Sequence, residues 1–188
     1  QMVRLVRNGE VVKLSKRSGK AITLVTLLDE VPIDAARFFF NMREANTHCD
    51  FDLDLAIEES SSNPVYYCQY AHARICSILK KLANEGITSR MPQAAELMLL
   101  TSDEETDLIS HLASLTGVIV NAANTYDPAK ITHYATDLAT KFHRFYNAQR
   151  VMVDDESLMQ ARIFLCVCVR DTMRNVLSML KINAPESM

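Results

Sequence analysis

Asn63-Pro64 followed by VYYCQYAHARICSILKKLANEG, residues 65–86, decides the fold. An asparagine oxygen can accept from the free N–H groups of a first helical turn. A proline fits just inside, where its missing N–H costs nothing. The run then continues for about six turns without glycine or proline. Gly86 ends it, because only glycine takes the left-handed C-terminal position without strain. Downstream, the same signals recur. A linker with Thr88, Ser89 and Pro92 surrounds a short helix near residues 93–99. Ser102 with Glu105 forms a capping box that opens a helix to about Tyr126. Asp127-Pro128 opens another to about Ala148, and Asp154-Asp155-Glu156 places acid at the start of a last helix ending near Lys181. Four long helices with short ones between them predict a mainly α chain built as an antiparallel bundle. With four glycines and five prolines in 188 residues, an all-β fold is disfavoured.

Upstream the pattern differs. Residues 2–7 alternate apolar and basic, Asn8-Gly9 follows, and residues 10–14 continue, which predicts a β-hairpin. KLSKRSGK, residues 13–20, is too polar for regular structure and reads as an exposed loop. Thr23 caps a short helix over LVTLLDEV, Pro32 resets the chain, and IDAARFFFNM starts a second helix with Asp34 in its first turn. Residues 43–52 read as a loop, after which Asp52 or Asp54 caps a short helix through Glu59. The chain opens on Gln1 in a strand pattern, so it reads as a fragment of a longer protein.

A length of 188 residues fits one domain, or one domain and part of another. No run of about 18 apolar residues is present, nor a basic-then-apolar leader, so neither a membrane span nor a signal peptide is expected. Five cysteines inside helical patterns suggest free thiols in a reducing cytoplasm. The net charge of −3 argues against a nucleic-acid binder taken globally. Locally it does not: residues 1–20 and 141–181 are basic, whereas residues 29–59 hold nine carboxylates. Any phosphate contact would rest on such patches.

The sharpest chemical feature is the pair Lys13 and Lys16, three residues apart with Ser15 in a Ser/Gly loop. Such a loop can close over a triphosphate and neutralise charge developing on the α-phosphate and pyrophosphate. The plainer reading is a solvated basic loop. KLSKR resembles the KMSKS signature of class I aminoacyl-tRNA synthetases, with Leu14 for Met and Arg17 for the last Ser. Residues 34–79 resemble the run following that signature in bacterial arginyl-tRNA synthetases, and the C-terminus with Arg162, Arg170-Asp171, Arg174-Asn175 and APESM is similar to that family's ending. The likeness spans nearly the whole chain and is weakest over residues 88–127.

That resemblance implies an ATP-dependent enzyme that attaches arginine to its tRNA, with magnesium beside the ATP. Residues 1–60 would be the end of the catalytic domain and residues 61–188 a DALR-type anticodon-binding bundle. Lys16 matches the lysine that stabilises the activation transition state, Lys13 the first lysine of the signature and Ser15 its loop serine. The family's HIGH motif and arginine pocket have no counterpart here, which implies a fragment inactive alone and without a cofactor of its own. A cytoplasmic monomer is the default.

For RNA, Tyr66, Tyr70 and Arg74 recur every four residues and share a helix face, a platform suited to unstacked bases. The alternative is that these tyrosines pack the bundle. Phe142 and Tyr146 form a second pair at the same spacing beside His143 and Arg144, with Phe142 the more core-like. In the family, aromatic residues near this point and the extreme C-terminus face the anticodon loop, which nominates Tyr146 and Met188. Arg162, Arg170 and Arg174 form a stripe on the last helix that could meet backbone phosphates or pair with carboxylates such as Asp171.

Other chemistries find little support. His48-Cys49, His72-Cys76 and Cys166-x-Cys168 lack a second ligand pair at zinc spacing, and Asp50, Asp52 and Asp54 lack the glycine and distal glutamate of a calcium loop. Two readings compete with the synthetase: a non-catalytic helical interaction module, and another class I enzyme such as the cysteinyl one.

Overall fold

The computed structural model describes residues 2–12, 23–44 and 46–188. β1 (Val3–Arg7) turns back into β2 (Glu10–Val11), pairing Val6 with Val11 and Arg7 with Glu10. Asn8 and Gly9 sit at φ 52° and 75°, the two positive angles that a type I′ hairpin requires. The expected hairpin is therefore present. The expected loop over residues 43–52 is corrected in part: β3 (Cys49–Asp52) pairs in parallel with β1, Val3 beside Cys49 through Val6 beside Asp52. Its four residues alternate inward Cys49 and Phe51 with outward Asp50 and Asp52. Two aspartates in four positions mask the strand, since its pairing partner lies more than forty residues away.

Three short helices complete this part. α1 (Leu24–Glu30) is capped by Thr23, whose side chain accepts from Thr26 N–H, and α2 (Ile33–Asn41) follows Pro32. α3 (Leu53–Ile57) starts where Asp52 accepts from the N–H groups of Asp54 and Leu55, and stops two residues short of Glu59. Phe38 of α2 and Phe51 of β3 are wholly buried.

The rest is helical: α4 (Pro64–Asn84), α5 (Ala94–Leu97), α6 (Asp103–Thr125), α7 (Ala129–Ala148) and α8 (Glu156–Met179). Asn63 both starts α4 and ties it down. Its oxygen accepts from Val65 N–H, while its amide donates to the carbonyls of Ala56 and Glu58. At the far end Ile87 N–H reaches Leu82 O (2.9 Å) and Gly86 N–H reaches Ala83 O (3.0 Å), with Gly86 at φ 80°. This is the glycine stop read from the sequence. α6 ends in the same way on Tyr126, at φ 52°, where Asp127 N–H bonds Ala122 O.

The long helices alternate in direction. Along α6 and α7, His111 meets Tyr134, Asp107 meets Lys141 and Glu104 meets Gln149, so rising numbers face falling ones. α4 opposes α8 likewise: Gln69 reaches Asn183 beyond α8, and Arg90 beyond α4 reaches Gln160. The antiparallel bundle is as expected. Its buried side chains are continuous with those of the small sheet, in one cluster from Leu5 to Ile182.

After α8 the chain turns and lies along α2 and α4. Ile182 is buried, Asn183 bonds the Asp34 carboxylate through its N–H and its amide, Gln69 donates to Asn183 O, and the His72 ring meets Pro185 O at 2.8 Å. No helix of the described residues is long and apolar enough to cross a membrane.

Candidate nucleic-acid interface

The tyrosine stripe sits at the N-terminal half of α4 because Asn63 and Pro64 set the helix phase there. Tyr66 and Tyr70 lie one turn apart with rings 6.4 Å between centroids and 6° from parallel. The ladder then passes to α7: Tyr70 stacks on His143 at 5.8 Å and 23°, and Tyr67 meets the same imidazole at 4.9 Å. Arg74 ends the row, its guanidinium 5.1 Å above the Tyr146 ring and Nη1 donating to the Tyr70 hydroxyl at 3.4 Å. Tyr66, Tyr70, Arg74 and Tyr146 are thus brought together, with Tyr70 and Arg74 exposed and Tyr66 and Tyr146 half-buried.

Phe142, nominated with Tyr146 but read as the more core-like of the two, is wholly buried and so does not itself meet RNA. It supports the site from beneath, 6.0 Å from Tyr146 and 5.5 Å from His143. A ring on the helix seam facing the core gains about 1.5–3 kcal/mol by burial whether or not RNA is present.

The open side of the ladder is a pocket of about 340 Å³ lined by Ser61, Tyr66, Tyr67, Tyr70, His143 and Asn147. Burial and the nearby Arg74 charge hold the His143 pKa below its ordinary value. The ring is therefore neutral at pH 7, and its Nε2 has no hydrogen-bond partner among the described residues. A mostly aromatic pocket with one exposed amide suits a planar heterocycle: faces for stacking and an edge for hydrogen bonds. His143 and Asn147 were not picked out from the sequence. They lie four residues apart, the spacing that singled out Tyr66, Tyr70 and Arg74, but nothing local says that this face of α7 meets α4.

The arginine stripe divides. Arg162 is buried with 9% of its side chain exposed, donating Nε to Glu105 at 2.7 Å, Nη1 to Arg150 O and Nη2 to Gln149 Oε1. It is a structural clamp. Arg170 and Arg174 stay near the surface and share the Asp171 carboxylate at 2.9 and 3.1 Å. They do not join the tyrosines. They face His72 and Cys76, roughly a third of a turn around α4 from the tyrosine stripe. Between the two faces, Ser77 and Lys80 are exposed. Met188, half exposed at 54%, ends the tail. Lys13, Ser15 and Lys16 lie outside the described residues. All five cysteines are free, and burial pushes Cys68 and Cys166 up to about 12, so these two are packing groups rather than nucleophiles.

Comparison with known proteins gives this arrangement a context. The family described as DALR anticodon binding domain matches residues 68–188. The arginine–tRNA ligase of Desulfitobacterium hafniense is 52% identical over 100% of the chain, and that of Ruminiclostridium cellulolyticum 48% identical over 100%. The chain spans about a third of the length of these relatives, 34% and 33%. Among solved structures, one described as an arginyl-tRNA synthetase from Campylobacter jejuni superposes with a TM-score of 0.81 at 30% identity, covering 100% of this chain and 40% of that one. The arginyl-tRNA synthetase of Thermus thermophilus shares the fold, with a TM-score of 0.78 at 24% identity over 98% of this chain and 34% of that one.

Proposed function

Because the chain belongs to the DALR anticodon binding domain family, with arginine–tRNA ligases as relatives along its whole length, we propose that it binds the anticodon region of an arginine tRNA. In this reading residues 61–188 are the anticodon-binding bundle. Residues 1–60 close the catalytic domain of a cytoplasmic, ATP- and magnesium-dependent ligase acting as a monomer. Lys13, Ser15 and Lys16 then serve as its phosphate-neutralising loop, while the chain by itself does not activate arginine.

One observation supports the RNA reading most directly: two helices contribute to a single stacked row, Tyr66–Tyr70–His143, closed by Arg74 over Tyr146. A base turned out of the anticodon loop lies against Tyr66 and Tyr70, where stacking is worth roughly 1–3 kcal/mol per base. The exposed Asn147 amide meets its edge, which is where sequence is read. Arg74 already covers one face of Tyr146, so Tyr146 acts by placing that guanidinium and by its hydroxyl. Met188 and the pair Arg170 and Arg174 reach the flanking backbone.

A filter-binding titration tests this with arginine tRNA and a version changed at the middle anticodon base. The chain prefers the former, and Tyr70→Ala weakens its binding by roughly 1–3 kcal/mol. Equal, weak binding of both RNAs would favour a helical interaction module instead.

A further inference from the structure

A second cavity, of about 310 Å³, lies between α4, α8 and the C-terminal tail, lined by His72, Cys76, Lys80, Arg170, Arg174 and Glu186. Its charges are unevenly matched. Arg170 and Arg174 share one carboxylate, that of Asp171. Neither Lys80 nor Glu186 forms an ion pair among the described residues. Three cations thus face two carboxylates, and most guanidinium N–H donors remain unused. Glu186 is close enough for its charge to raise the pKa values of Cys76 and Arg170.

The cavity wall also holds an unsatisfied group. His72 is 2% exposed, and its Nδ1 must donate to Pro185 O at 2.8 Å because a carbonyl only accepts. The other nitrogen, Nε2, is buried with no hydrogen-bond partner among the described residues.

We propose that this cavity is a phosphate site for the RNA backbone, gripped by Arg170, Arg174 and Lys80, with the Glu186 carboxylate weakening the attraction. Guanidinium pairs suit phosphate because two parallel N–H groups match two oxygens. An RNA strand supplies what the cavity lacks, a phosphate for the cations. The Glu186 carboxylate lines the same cavity without pairing with a cation, and its charge opposes an incoming phosphate. Ser77 and Lys80 are exposed on α4 between this cavity and the tyrosine stripe, so one strand can use both. The proposal rests on the RNA reading and adds a definite contact to it.

The test is a filter-binding series on the 188-residue chain with an arginine anticodon stem-loop RNA across a KCl range, alongside NMR titration with inorganic phosphate. Arg174→Ala lowers affinity by about tenfold and reduces the salt slope by about one phosphate contact. Glu186→Gln, which removes the competing charge, raises affinity several-fold. If both variants bind as the parent does, with the same slope, while Tyr70→Ala still weakens binding, the cavity assignment falls and the base platform stands. If none of the three changes a weak, uniform binding, the RNA reading itself falls. If inorganic phosphate shifts the His72 and Arg174 resonances but neither variant alters RNA binding, the occupant is a free anion and the backbone assignment is overturned.

Discussion

Removing the Arg162 side chain should be among the most damaging single changes in the bundle. Its Nε donates to Glu105 at 2.7 Å, and only 9% and 1% of the two side chains are exposed. Glu105 is held on its other oxygen by Ser102 N–H at 2.9 Å, as part of the capping box that starts α6. Arg162→Ala therefore strands a buried carboxylate with one neutral donor left. An uncompensated buried charge costs about 3–5 kcal/mol, against a total stability of about 5–15 kcal/mol for a typical domain. The lost bonds to Arg150 O and Gln149 Oε1 add less, because both residues lie near solvent. The double change Glu105→Gln with Arg162→Met removes charge and partner together, and its cost is far smaller, about 1–2 kcal/mol. Urea unfolding followed by circular dichroism gives both values, provided the m-value is unchanged. A loss below about 1 kcal/mol for Arg162→Ala, or a double variant as unstable as the single, would refute the buried-charge account. The clamp also bears on the interface, since Gln149 and Arg150 follow directly on the turn of α7 that carries Tyr146 and Asn147.

Two further outcomes follow from the same physics. Burial and Arg74 lower the His143 pKa in the folded chain, so on acidification the unfolded chain takes up its proton first. Stability from this group is complete above the ordinary histidine value of about 6.5 and is lost as pH falls from there toward the folded value. Between pH 7 and 5, His143→Asn flattens the decline in unfolding free energy; an unaltered profile would count against a neutral, desolvated imidazole. Tyr126, 90% exposed, closes α6 at φ 52°. Glycine relieves a left-handed strain of about 1–2 kcal/mol but loses more entropy on folding, so Tyr126→Gly raises stability by about 1 kcal/mol. A lowered melting temperature would show that the tyrosine makes a compensating contact.

What was legible in the sequence is what local chemistry dictates. Asn63-Pro64 and Gly86 mark the ends of α4, Ser102 with Glu105 the start of α6, and Asn8-Gly9 the hairpin, each through a backbone requirement met within a few residues. β3 escaped because its only support is a parallel partner far upstream. The site divides along the same line. Periodicity on α4 placed Tyr66, Tyr70 and Arg74 on one face correctly, since helix geometry alone settles that. Periodicity on α7 could not tell Phe142 from His143. Adjacent helix positions point about 100° apart, and which of them meets the core depends on how α7 is rotated against α4 and α6.

That rotation also explains why the interface needs two helices. On α4 alone, Tyr66 and Tyr70 are exposed rings free to take several rotamers, and ordering them on binding a base would cost affinity. With Phe142 buried beneath, His143 is fixed against Tyr67 and Tyr70, and Tyr146 is held under Arg74 before any ligand arrives. In the proposed RNA reading Phe142 serves recognition without touching a base: its burial sets the α7 rotation that presents His143, Tyr146 and Asn147 to the tyrosine stripe.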